Sequence, residues 1–312
     1  MKELRSINKL SPYLVSKIWG GERIAKFKKN QKANFNSPIG ESWEISVHPQ
    51  GPSLLDKIPL NQYISFELLP YLVKFIDTAD NLSIQVHPDD QYAMTHENSV
   101  GKTECWVILD CLPSGGIYLG IKPGITKASF EKAILNDDNI DQYLNFYEVN
   151  KGDFFYVPAG TIHAIGKNVF LCEIQQNSGI TYRVWDWKRL GENNLPRQLH
   201  VKSALDVIRF EESFNHKKNL MIKNNIFTSS FEVLARHREF EVDFHHFTSD
   251  LKFKSHNNNR MNGLICLEGQ MSISYENEEV LIEQWDSVLL KPDLIFGVKI
   301  RSLNGCKVLW VG

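Results

Sequence analysis

The chain has 312 residues, with 35 basic and 37 acidic side chains and a formal net charge of −2. That balance excludes a broad cationic field for nucleic acid, and a hydrophobic share of 42% excludes global disorder. The length exceeds what one hydrophobic core usually serves, so two domains are expected.

From the start, the first twenty residues carry no continuous apolar stretch of the leader type, and no later run approaches the length of a membrane span. The basic run Lys26-Phe27-Lys28-Lys29, with Lys32 beyond, reads as a solvated face. Strands are predicted over 43–47, 82–86, 104–109 and 170–175, which are rich in β-branched and aromatic residues. Helices are few. The segment 89–96 follows a proline and starts acidic, 126–135 has Thr126 as N-cap, and 199–208 is the third. Gly115-Gly116 reads as a hairpin turn.

Many short strands with interspersed turns predict a mainly β protein of sandwich or barrel type, not alternating βαβ units. The polar segment 211–225 marks a boundary, giving domains 1–215 and 216–312. One internal echo supports two copies of one β-fold. Gly152-Asp153 opens an apolar strand that ends at Pro158, and Trp285-Asp286 opens another that ends at Pro292. No histidine follows Pro292, so the second copy is expected to lack a metal site, with His245, His246 and His256 on the surface. The five cysteines contain no CxxC pair and sit mostly in apolar runs. They read as buried thiols of a soluble cytoplasmic protein.

Gln85 and His87 end a predicted strand two residues apart, so their side chains share one face. Glu104 opens another strand, and His163 follows a turn. Two imidazoles, a carboxylate and an amide oxygen make a mixed N/O donor set that suits a borderline divalent metal. Taken singly, each of these residues is more often a surface or satisfied core residue.

The surrounding motifs carry more. Gly152, Pro158, Gly160 and His163 match the second cupin motif, and Gln85-x-His87 is a loose form of the first. Ser83-Ile84-Gln85-Val86-His87-Pro88-Asp89, Gly101-Lys102-Thr103-Glu104-Cys105-Trp106 and Ala159-Gly160-Thr161-Ile162-His163-Ala164 resemble type I phosphomannose isomerases of the short bacterial form. So do Gln176 to Asp186, Trp19-Gly20-Gly21 and Gly40-Glu41-Ser42-Trp43-Glu44. The resemblance implies two cupin-like β-barrels, or jelly rolls, with a few short helices. It implies one Zn²⁺ per chain on Gln85, His87, Glu104 and His163, with Arg183 as the active-site arginine and Lys102 near the substrate. Glu41, Ser83 and Trp19 are expected around that substrate, a small-molecule sugar phosphate. Gly179 departs from the family pattern, which has an aspartate there.

Family members interconvert mannose 6-phosphate and fructose 6-phosphate. That chemistry moves a proton between C1 and C2 and needs a stabilised enediolate. Arg183 supplies a cation that does not deprotonate. Lys102 would act as a base only with a lowered pKa, and a metal-bound water or Glu41 is an alternative. No glycine-rich phosphate cradle is present. Two other readings stand beside the isomerase: a cupin oxygenase holding Fe²⁺, and a sugar-phosphate-binding cupin without catalysis, to which Gly179 lends weight. Neither nucleic acid nor membrane is expected as a partner, and the assembly is expected to be a monomer or small homo-oligomer.

Overall fold

The computed structural model describes residues 3–28, 38–191, 194–251, 259–292, 294 and 297–312. Two β-sandwiches make up the fold. In the first, a six-stranded sheet faces a five-stranded one. The six-stranded sheet runs Phe154–Val157, Glu104–Cys111, Val169–Gln176, Tyr71–Asp77, Ile39–Ile45 and Tyr13–Gly21 in spatial order. The five-stranded sheet runs Leu144–Glu148, Gly116–Ile121, His163–Ile165, Ile84–Val86 and Tyr182–Trp185. The second sandwich packs a six-stranded sheet against a four-stranded one, whose strands are Asp250–Leu251, Lys299–Ser302, Gln270–Tyr275 and Glu278–Glu283.

The mainly β expectation holds, and the strand runs fall where composition placed them. The helix Asp90–Glu97 is capped by Asp89, whose side chain accepts from the Tyr92 amide, and Lys127–Leu135 starts on a Thr126–Ser129 capping box. The third is the shorter Val201–Val207. Gly115-Gly116 does lie in a turn, with the Gly115 amide donating to Leu112 at 3.0 Å. It is not a hairpin, because Glu104–Cys111 and Gly116–Ile121 belong to different sheets. The turn carries the chain from one layer to the other.

The strand Ile7–Leu10 pairs with Ser287–Leu290, so the N-terminal segment completes a sheet of the C-terminal sandwich. The polar segment 211–225 edges the first sandwich: Phe154 and Lys223 exchange backbone hydrogen bonds at 2.8 and 3.0 Å, and Leu220 is fully buried. One cluster of buried side chains joins both sandwiches, with Ile45, Tyr71 and Phe75 packed with Ile265, Leu289 and Leu309.

The basic run is not uniformly solvated. Lys26 is exposed, but Lys28 turns inward and donates to Glu44 at 2.9 Å and to the Trp285 carbonyl at 2.8 Å. Burying an ammonium demands such a partner. Lys29 and Lys32 lie outside the described residues, as does His256. His246 is exposed as expected, whereas His245 is half-buried beside the Phe231 and Trp310 rings.

Candidate metal and substrate site

Backbone register brings the predicted donors together. His163 pairs directly with Gln85 across neighbouring strands. Glu104 faces both Val157 and Gln175 in the opposite sheet. The site therefore sits between the two layers of the first sandwich.

His163 Nε2 lies 3.3 Å from Glu104 Oε1, and His87 Nε2 lies 3.5 Å from Glu104 Oε2. The ligating atoms of these three residues all fall within 4.8 Å of one another, and all three residues are buried. Gln85 aims its amide at the same point, with Nε2 3.3 Å from His163 Nε2. The amide offers an oxygen when its other end is presented.

Each imidazole is fixed from behind. His87 Nδ1 donates to the Ile180 carbonyl at 2.8 Å, and His163 Nδ1 donates to the Thr161 carbonyl at 2.9 Å. Both rings thus present an unprotonated Nε2 to the cluster, the arrangement that ligating histidines need. Burial pushes His87 well below the ordinary imidazole range and His163 down to about 4. Both stay neutral at physiological pH, ready to donate a lone pair. Glu104 Oε1 is buried and accepts no hydrogen bond. An ionised oxygen in that state is costly unless a cation completes it. The donors therefore fit a divalent metal.

Lys102 is buried, not solvent-exposed. Its ammonium donates to Glu104 Oε2 at 2.6 Å and to His87 Nε2 at 3.0 Å. Burial pulls its pKa down, but the charges of Glu104 and Glu173 outweigh this and raise it. Lys102 is held as a cation, which argues against its use as a base. Glu41 fares similarly. Burial would raise it, but Lys74, Lys17 and the Trp43 indole N–H together hold it at about 2, and a carboxylate held so low is a weak base.

A cavity above this cluster is lined by Trp19, Glu41, Ser83, Gln85, Lys102 and Arg183. Apart from Gln85, these are the substrate-side candidates of the sequence, and the six residues come from five separate segments. Gly179 also lines it. A Cβ there would stand 3.2 Å from His48 Nε2, so the imidazole of His48 bounds the space a larger residue would need. Trp185 and Trp187 pack on each other, at 4.7 Å between rings, outside this lining.

Four further charged residues of the lining were not singled out in the sequence: Glu173, Lys74, Lys17 and Arg197. Glu173 Oε2 accepts from the Trp106 indole at 3.3 Å, and Oε1 lies 3.4 Å from Lys74 Nζ. Burial first, then the Glu104 charge, raises its pKa. Its only sequence signal was a lone carboxylate inside the apolar run of Val169–Gln176.

The model of the type I phosphomannose isomerase catalytic domain matches residues 7–103. "Putative mannose-6-phosphate isomerase YvyI" of Bacillus subtilis (strain 168) is 31% identical over 310 residues, covering 90% of this chain and 92% of that protein. The chain belongs to the type I phosphomannose isomerase family. The mannose-6-phosphate isomerase of Streptococcus mutans serotype c (strain ATCC 700610 / UA159) is 36% identical over 224 residues, 66% of this chain and 69% of that one. The crystal structure of the mannose 6-phosphate isomerase from Bacillus subtilis superposes with a TM-score of 0.82 at 27% identity, covering 99% of this chain and 100% of that one. The same two-sandwich architecture thus recurs in a solved relative. Among the described residues, no helix is long and apolar enough to cross a membrane.

Proposed function

We propose that the chain is a zinc-dependent aldose–ketose isomerase that interconverts mannose 6-phosphate and fructose 6-phosphate by proton transfer between C1 and C2. One observation carries the reading. Gln85, His87, Glu104 and His163 converge beside a cavity that Gln85, Lys102 and Arg183 line.

These four residues would hold one zinc ion, which would supply Lewis-acid polarisation of the sugar oxygens. Arg183 and Lys102 place fixed positive charge beside the developing enediolate, where preorganised charge is most effective. Glu173, a buried carboxyl with a raised pKa beside Lys74, is the best-placed group to carry the proton. Trp19 and Ser83 shape the wall against which the sugar packs. The cytoplasmic assignment rests on five cysteines that form no disulfide.

A coupled assay of mannose 6-phosphate conversion, with and without chelator, tests the reading. Turnover that disappears on chelation and returns with zinc is expected. Tight sugar-phosphate binding by zinc-loaded protein without turnover would establish the non-catalytic alternative, and oxygen consumption with bound iron would establish the oxygenase.

A further inference from the structure

A second cavity adjoins the one above the metal donors, and the two share Lys17, Trp19, Arg183 and Arg197. Gly191, Pro196 and Gln198 close its other side, and no acidic side chain lines it among the described residues. Three cations therefore gather at the mouth of the site, on separate segments of chain.

Each is held so that donors remain. Asp186 grips Arg197 from behind through Nε at 2.7 Å and Nη2 at 2.5 Å, leaving Nη1. Lys17 Nζ reaches Glu41 Oε1 at 3.1 Å, using one of three N–H groups. Arg183 donates from Nη1 to the Gln198 carbonyl at 2.8 Å, leaving Nη2. Like charges brought this close need a counterion, and bidentate guanidinium donors match a tetrahedral oxyanion.

The geometry points to Lys17 and Arg197 as the residues that, beside Arg183, bind the phosphoryl group of the substrate. This rests on the sugar-phosphate reading above and deepens it. The reacting end of the sugar then lies towards Gln85 and Lys102 and the phosphorylated end towards Arg197, so the two cavities read the two ends of one molecule. Lys17 and Arg197 act on binding and orientation, not on the proton transfer.

Steady-state kinetics on mannose 6-phosphate, with inorganic phosphate as competitive inhibitor, test this in Arg197→Gln, Arg197→Lys and Lys17→Met. A hydrogen bond to a charged group contributes enough for an expected rise of about tenfold to a hundredfold in KM. The inhibition constant for phosphate should rise in parallel, while kcat stays within about threefold. Arg197→Lys should recover part of the loss, which a packing defect would not do. Unchanged KM and inhibition constant in turning-over variants would overturn the assignment, as would a fall in kcat at constant KM. If the wild type does not turn over mannose 6-phosphate, the isomerase reading falls instead. Calorimetric titration with inorganic phosphate then decides alone: weaker binding in Arg197→Gln supports the assignment, and equal binding overturns it.

Discussion

In the first sandwich the Asn150 amide donates to Asp153 Oδ2 at 2.8 Å, and in the second the Glu283 amide donates to Asp286 Oδ2 at 2.8 Å. The preceding residue has positive φ in both, +89° at Gly152 and +72° at Trp285. Their amides donate to Ile108 and Cys266, and the amides of those two residues bond back to Asp153 and Asp286. The strands that follow, Phe154–Val157 and Ser287–Leu290, pair with the same offset, so Val157 faces Glu104 where Leu290 faces Asn262. The two copies thus keep one backbone plan and differ in what they mount on it. Where the first has Glu104, the second has Asn262, which is buried and accepts from the Trp310 indole at 3.3 Å. A jelly-roll scaffold does not impose a metal site; a few side chains at fixed register positions do.

The turn also shows what the second copy gained. Glycine takes positive φ without steric cost, but a tryptophan there costs about 1–2 kcal/mol. Trp285 offsets this by stacking on Phe27 at 5.1 Å and meeting Phe170 and Phe75 edge-on, which seals the join between the sandwiches.

The strongest way to break this division of labour is a matched pair of variants. Glu104→Gln keeps the shape but removes the charge from the donor set and from Lys102. Turnover should fall by about 10³ or more, with loss of bound metal, because Lewis-acid stabilisation accounts for several kcal/mol. Asn262→Ala should leave turnover and metal content alone and lower stability by about 1–3 kcal/mol, through loss of its hydrogen bonds with the Trp310 indole and the Arg260 carbonyl. Metal loss in Asn262→Ala, or full activity in Glu104→Gln, would refute the comparison. Metal analysis and denaturant titration read both.

A second prediction concerns pH. A buried histidine held at about 4 against an ordinary 6.5 takes up its proton only when unfolded across that window. The unfolded state binds more protons there, so stability should fall as pH drops from about 6.5 towards 4. His163 alone accounts for a loss of up to about 3 kcal/mol. Urea titrations at pH 7 and pH 5 measure it. A slope that His163→Asn leaves unchanged would show that another group carries the acid sensitivity.

Much of this was legible in the sequence, for physical reasons. Strands of β-branched and aromatic residues and capped helices are local features, and the alternation of side chains in a strand ties Gln85 to His87. Glu41, Ser83 and Trp19 line the cavity beside Gln85, and the signal that named them was the set of motifs that contain them. Other features depend on distant contacts. Lys74 and Glu173 are single charges inside apolar strands, and nothing local distinguishes an inward ion pair from an outward solvated side chain. Arg197 lies in a loop, and the grip of Asp186 on its guanidinium has no signal in local sequence. Ile7–Leu10 reads as any short strand, and its partner lies some 280 residues later.

The smallest predicted effect tests how the two sandwiches are held together. Glu44 is fully buried in the first and accepts from Ser42 at 2.5 Å, from Lys28, and from Ser287 of the second at 2.8 Å. Ser287→Ala removes one neutral donor and leaves Lys28 to satisfy the same oxygen. A loss of about 1 kcal/mol is expected, with activity and metal content intact. Glu44→Ala would instead strand a buried ammonium and cost about 3–5 kcal/mol. If the two variants melt alike, the join rests on Trp285 and its aromatic neighbours and not on the Glu44 network, because only the second substitution leaves a charge unpaired.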